Sequence, residues 1–188
     1  ASFVILCVGR WHPVKNFSSV ITAMSSFVKE KPEAILLLVG ENMNFQNQEL
    51  NDLISKNNLH DFTRAVGVSN DLQCYYESAD VFINASYSES FPNVVAEAME
   101  RGTFCLVSNT GASSDIVGDC GYVLTEASPC DLLSALRSIS KNTEVLSDRK
   151  KRQLHIEKNF DINSILASYQ EEYIIKGTNK KVKNYSRK

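Results

Sequence analysis

The chain has 188 residues, 43% of them hydrophobic and 22% charged, with a formal net charge of −2. That length can bury one substantial core, the composition is that of a globular protein rather than a disordered one, and the charge supplies no global field that would favour nucleic acid. No apolar run approaches the roughly 20 residues that span a bilayer, so the chain is expected to be soluble.

The opening, "ASFVILCVGR", has neither an initiator methionine nor the charged region and cleavage site of a signal peptide, and the chain is read as a piece of something longer. "FVILCVG" reads as a first strand. A helix follows over 16–29, where Val20, Ile21, Met24, Phe27 and Val28 recur at helical spacing, Asn16 is placed to cap the start and Pro32 lies beyond the end. Next come "AILLLVG" as a strand, a helix over 46–58, "TRAVGV" as a strand, a helix over 71–78, "DVFINAS" as a strand and a helix over 92–101. "TFCLVSN", a short helix over 113–117 and "GYVL" complete the alternation. Several strands are apolar without a break, as expected when both faces are covered, so the sheet should be parallel. The fold class is therefore α/β: a Rossmann-like doubly wound parallel sheet with right-handed crossovers and its ligand crevice at the strand C-termini.

After Leu124 the sequence turns helical: "SPCDLLSALRSISKN", "SDRKKRQLHIEKNF" and "DINSILASYQEEYIIKG". One domain with a helical extension is expected over 1–176, followed by a basic tail over 177–188 that frays in solution or touches a membrane surface. The five cysteines, Cys7, Cys74, Cys105, Cys120 and Cys130, include no C-x-x-C pair, which argues against a disulfide framework or a zinc site and for a reducing cytoplasm.

Two strand-following loops hold residues suited to binding. In "GRWHPVKN", Gly9 ends the strand, and Arg10 and Lys15 bring two cations to the mouth of a helix. Cations converging with a helix N-terminus make a diphosphate site, although exposed bases at a turn would read the same way. "SYSESFPNVVAEAMERG" places Glu89 before a helix and Glu97 two turns inside it, with Ser90 as cap, Pro92 in the first turn and Gly102 at the end. Carboxylates accept hydrogen bonds from hydroxyls, while free amides between them donate to an anion. A nucleotide sugar, with hexose, diphosphate and ribose in line, has that form; a solvated helix face is the bland alternative.

The series "GR-x4-K", "LLLVGE", "V-G-V-x2-DL-x2-YY-x2-ADV" and "S-x2-ES-F-P-N-V-V-x-EAM-x2-G" resembles the C-terminal, donor-binding half of retaining GT-B-fold glycosyltransferases, specifically glycosyltransferase family 4. The similarity covers about 3–124, and the last helices look like that family's C-terminal extension. The resemblance implies transfer of a hexosyl unit from a UDP- or GDP-linked sugar to an acceptor hydroxyl with retention. Gly9 would line the site, Arg10 and Lys15 would neutralise the diphosphate, and Glu89 would hold sugar hydroxyls. Ser90, Phe91, Pro92, Asn93 and Val94 would offer phosphate and sugar contacts, Glu97 would grip the ribose, and the backbone at Val68 would meet the base. No cofactor is implied, and no metal: the chain holds no Asp-x-Asp.

This chain departs from the family in carrying Asn16 and Pro92 where glycine is frequent, and Pro92 removes one amide from the anion cradle. The resemblance further implies that the N-terminal, acceptor-binding half is absent from this chain and that the fragment alone is inactive. It implies a glycan or lipid-linked acceptor, a part in polysaccharide or glycoconjugate biosynthesis, and work in the cytoplasm, peripheral to the inner membrane face. A non-catalytic nucleotide-sugar-binding module and a GT-B sugar-nucleotide isomerase are the alternatives. A phosphorylase lacks its pyridoxal lysine here, and a dinucleotide-binding domain lacks G-x-G-x-x-G after the first strand. Tyr75 and Tyr76 read as structural, Trp11 as facing the cleft or packing on the absent half, His12 as a possible contact of donor or acceptor, His60 and His155 as surface residues, and the charges over 148–152 as a solvated helix face.

Overall fold

A computed structural model describes residues 2–160; the expected third C-terminal helix and the basic tail lie outside them. All six apolar runs form strands: β1 (Phe3–Val8), β2 (Ala34–Val39), β3 (Thr63–Gly67), β4 (Val81–Asn84), β5 (Phe104–Ser108) and β6 (Tyr122–Leu124). They pair in parallel in the order β3-β2-β1-β4-β5-β6. Parallel neighbours need crossovers, and the helices supply them: α1 (Phe17–Glu30), α2 (Gln48–Lys56), α3 (Gln73–Ser78), α4 (Asn93–Glu100) and α5 (Ser113–Val117). Each begins or ends within two residues of the expected bounds, the usual uncertainty of helix ends.

Alternation along each strand divides the core into two layers. Phe3, Ile5 and Cys7 of β1 pack with α1 and α2, while Leu6 faces the opposite layer with Phe82 of β4, Cys105 of β5 and Val95, Ala98 and Met99 of α4. The strand order reverses between β1 and β4, so the loops that leave these neighbours diverge to opposite faces and open a crevice at the C-terminal edge. Backbone proximity at that edge is extreme: a Cβ on Gly40, just past β2, would lie 2.1 Å from the Gly9 carbonyl oxygen. Only glycine fits there.

The C-terminal helices brace both faces. In α6 (Pro129–Lys141), Ser128 caps the start by accepting from the Asp131 amide, and Leu132, Leu136 and Ile139 extend the α1 layer. A short helix not expected from sequence, α7 (Thr143–Ser147), precedes α8 (Arg149–Phe160), which lies on the α4 side. Here the expected solvated face is corrected. Arg152 is 2% exposed and donates to the carbonyls of Gly102, Val145 and Leu146, each at 2.7 Å. Arg149 donates to those of Glu77, Ala79 and Arg101. Two guanidinium groups thus supply the donors that the end of α4 and its neighbours lack, favourable at a negative helix terminus. His155 is likewise not a surface residue: it is half-buried, with Nε2 2.9 Å from the Ile116 carbonyl oxygen.

Replacing Arg152 with alanine strands three carbonyls and opens a void beneath α8. Urea unfolding of Arg152→Ala is expected to show a loss of about 2–4 kcal/mol, with Lys in its place recovering only part of it.

Candidate functional site

The crevice between β1 and β4 is built from two loops that are stitched together. After β1 the chain turns through a 3-10 segment, Pro13–Lys15, whose start is held by His12 Nδ1 accepting from the Val14 amide at 3.2 Å. Asn16 then takes a left-handed φ of 55°. Besides glycine, asparagine tolerates that conformation better than most residues. Asn16 does not cap α1 with its side chain, contrary to expectation; its Nδ2 donates instead to the carbonyls of Ala85 at 3.2 Å and Ala127 at 2.7 Å. The Tyr87 amide donates to the Val14 carbonyl at 2.8 Å, adding a backbone tie between the loops.

Held this way, Lys15 and Glu89 meet: Nζ to Oε1 is 2.7 Å, with the side chains 24% and 13% exposed. The Lys15 chain runs beside Gly9, where a Cβ would stand 3.9 Å from Lys15 Cε. Burial pushes the Glu89 carboxyl up, but the Lys15 hydrogen bond and charge, with the neighbouring Ser86 and Asn84 side chains, outweigh it and hold the group below its ordinary value. Glu89 is therefore an ionised acceptor at neutral pH. From the far side Gly111, at φ 53°, presses on the same loop: a Cβ there would lie 2.4 Å from the carbonyl oxygens of both Glu89 and Ser90.

The start of α4 differs in detail from expectation. Ser90 makes no cap; its carbonyl accepts from the Ala112 amide at 3.0 Å, and Pro92, buried, occupies the cap position with no side-chain bond. The amides of Asn93 and Val94 have no acceptor among the described residues, so two donors remain at the positive end of α4, shortly after Glu89 in sequence. Phe91 is 48% exposed, its ring 6.1 Å from that of Phe160 on α8. Farther along α4, Glu97 is exposed except where its Oε2 accepts from the Tyr76 hydroxyl at 3.0 Å.

The remaining candidates stand on the same sheet edge. Arg10 is exposed at the end of β1 and forms no ion pair among the described residues. Val68, 72% exposed, follows β3. Trp11 stacks on Phe17 at 5.9 Å, donates from Nε1 to Glu49 at 2.8 Å and helps line a small cleft with His12 and Tyr87. The structure thus joins Gly9, Lys15 and Glu89 directly and places the α4 amides next in sequence, whereas Glu97 has a separate partner. Sequence reasoning missed Tyr76 in that part; the available signal was that a buried tyrosine hydroxyl requires an acceptor.

The profile of the family described as glycosyl transferases group 1 matches residues 1–159. The chain belongs to that family. It is 28% identical over 153 residues to a D-inositol 3-phosphate glycosyltransferase of Paenarthrobacter aurescens, covering 78% of this chain and 38% of the relative. An N-acetyl-alpha-D-glucosaminyl L-malate synthase of Bacillus anthracis is 22% identical over 175 residues, 90% of this chain and 45% of its own. The chain spans less than half the length of either relative.

Among solved structures, a glycosyltransferase from Rickettsia africae superposes with a TM-score of 0.81 at 18% identity, over 92% of this chain and 47% of that one. Anabaena HepE in complex with UDP gives 0.80 at 21% identity, over 91% and 48%. A C-terminal domain of the Francisella tularensis glycosyl transferase LpcC gives 0.73 at 20% identity, over 85% of this chain and 87% of that domain. At these identities the likeness is one of fold, and it agrees with the doubly wound Rossmann-like sheet expected from the sequence.

The lowered Glu89 pKa fixes the sign of a pH effect. Its stabilisation is fully present above the ordinary carboxylate range and is lost as pH falls through the lowered folded value. Thermal melts of the wild type and Glu89→Gln, compared from neutral to acid pH, are expected to differ most near neutrality and to converge in acid.

Proposed function

We propose that this chain is the donor-binding domain of a retaining, family 4 glycosyltransferase that moves a hexosyl group from a UDP- or GDP-linked sugar to an acceptor hydroxyl. The observation that carries the reading is the Lys15–Glu89 contact at the reversal point of the sheet, closely followed in sequence by a helix whose first two amides have no acceptor among the described residues. A cation and free N–H donors suit a diphosphate; an ionised carboxylate that cannot donate suits sugar hydroxyls. Anabaena HepE, with the same fold, has been solved in complex with UDP-glucose, which favours a nucleotide-sugar donor here.

In this reading, Gly9 and Ser90 line the pocket, Arg10 and Lys15 face the diphosphate, and the amides following Phe91 and Pro92, those of Asn93 and Val94, complete its cradle. Negative charge grows on the leaving diphosphate as the glycosidic bond breaks. Fixed cations and amides stabilise that charge without reorganising, which lowers the barrier. Glu89 positions the hexose, Glu97 holds the ribose and the backbone at Val68 meets the base. No metal is required by this arrangement. The acceptor, a glycan or a lipid-linked sugar in polysaccharide or glycoconjugate synthesis, is bound by an N-terminal half outside this chain. The whole enzyme works in the cytoplasm, peripheral to the membrane; none of the described helices is long and apolar enough to cross one.

Titration calorimetry of this chain is expected to detect UDP or GDP binding. Lys15→Met should weaken it by about 1.5–3 kcal/mol, the scale of a charged hydrogen bond, while leaving any binding of the bare nucleoside unchanged. Absence of binding by either diphosphate at millimolar concentration would sink the proposal.

A further inference from the structure

Glu97 is a flexible, exposed side chain on which the proposed site depends, and something must fix it. A free glutamate loses rotamer entropy when it closes on a ligand, whereas one already held does not. The structure provides a holder on a different helix. Tyr76, in α3, is 2% exposed and its ring meets Phe82 of β4 edge-on, with centroids 5.8 Å apart and planes at 77°. Its carbonyl accepts from the buried Thr103 hydroxyl just before β5, so backbone and ring are both anchored in the core. Only the phenol tip reaches the surface layer, where it donates to Glu97 Oε2 at 3.0 Å. Among the described residues Glu97 has no ion pair; Arg101, one turn on, is engaged by Glu77 and Glu100. Tyr76 and Glu97 also line one small cleft between α3 and α4 with Leu72 and Gln73.

We propose that Tyr76 is a positioning residue for nucleotide recognition: its rigid phenol holds Glu97 Oε2 and presents Oε1 to the ribose hydroxyls of the donor. The inference rests on the donor-site reading above. Burial, followed by the adjacent Glu97 charge, pushes the Tyr76 hydroxyl well above its ordinary pKa, so the tip stays a proton donor at any working pH. A tyrosine is suited to this task because a donor of fixed length is delivered from the core with only two side-chain torsions. Phenylalanine would fill the same volume and lose only the donor.

The test compares UDP with 2′,3′-dideoxy-UDP, whose ribose lacks both hydroxyls, by calorimetry on the wild type, Tyr76→Phe, Glu97→Ala and the double variant. Tyr76→Phe is expected to weaken UDP about five- to tenfold and leave dideoxy-UDP unchanged, and to add no further loss once Glu97 is alanine. A purely structural tyrosine would instead weaken both nucleotides alike, lower the melting temperature and act independently of Glu97. Equal losses, no loss, or an additive double variant each overturn the proposal while leaving the donor site standing. Failure of the wild type to bind UDP and GDP removes the site itself and the inference with it. Thermal melts of all four proteins separate misfolding from mispositioning, and the UDP to dideoxy-UDP ratio is internal to each protein.

Discussion

The ion pair between Lys15 and Glu89 joins two loops that emerge from adjacent parallel strands and turn to opposite faces of the sheet. Much of the crevice architecture serves that contact. Asn16 bridges its loop to Ala85 and Ala127, Tyr87 ties back to Val14, and Gly111 lets a third loop close on the backbone of Glu89 and Ser90. Placing a lysine and a carboxylate together costs side-chain entropy and some desolvation, and such pairs yield little net stability. Their value lies in geometry: both groups are already oriented at the one place where a doubly wound sheet opens.

The cost of holding that mouth is borne behind the site. Helix α4 is short, is preceded by Pro92, which donates no N–H, and is followed by Gly102 just past its cap. The carbonyls of Arg101 and Gly102, just past its end, accept from Arg149 and Arg152 of α8, which also reach the ends of α3 and α7. Helix α8 therefore braces α4 at the end opposite its first amides.

Much of this was legible in the sequence. Strands packed on both faces must be apolar throughout, so "FVILCVG", "AILLLVG" and "TFCLVSN" announced themselves, and strict alternation of strand and helix left a parallel sheet as the economical arrangement. Lys15 and Glu89 were visible because both follow strands, where a doubly wound sheet gathers ligands. Other features were hidden for physical reasons. Asn16 before a helix reads as a cap, because sequence does not reveal the left-handed turn that aims its amide elsewhere. Arg152 lies in a run of charges that resembles a wet surface, and its burial follows only from where α8 lands. Tyr76 reads as structural, and its ring is buried in the core; the direction of its hydroxyl depends on the spacing of α3 and α4.

The most direct measurement is a crystal structure of this chain soaked with UDP-glucose or GDP-mannose. The account predicts a diphosphate oxygen about 2.7–3 Å from Lys15 Nζ and the hexose hydroxyls against Glu89. A donor bound elsewhere, with the Lys15–Glu89 pair untouched, would contradict it.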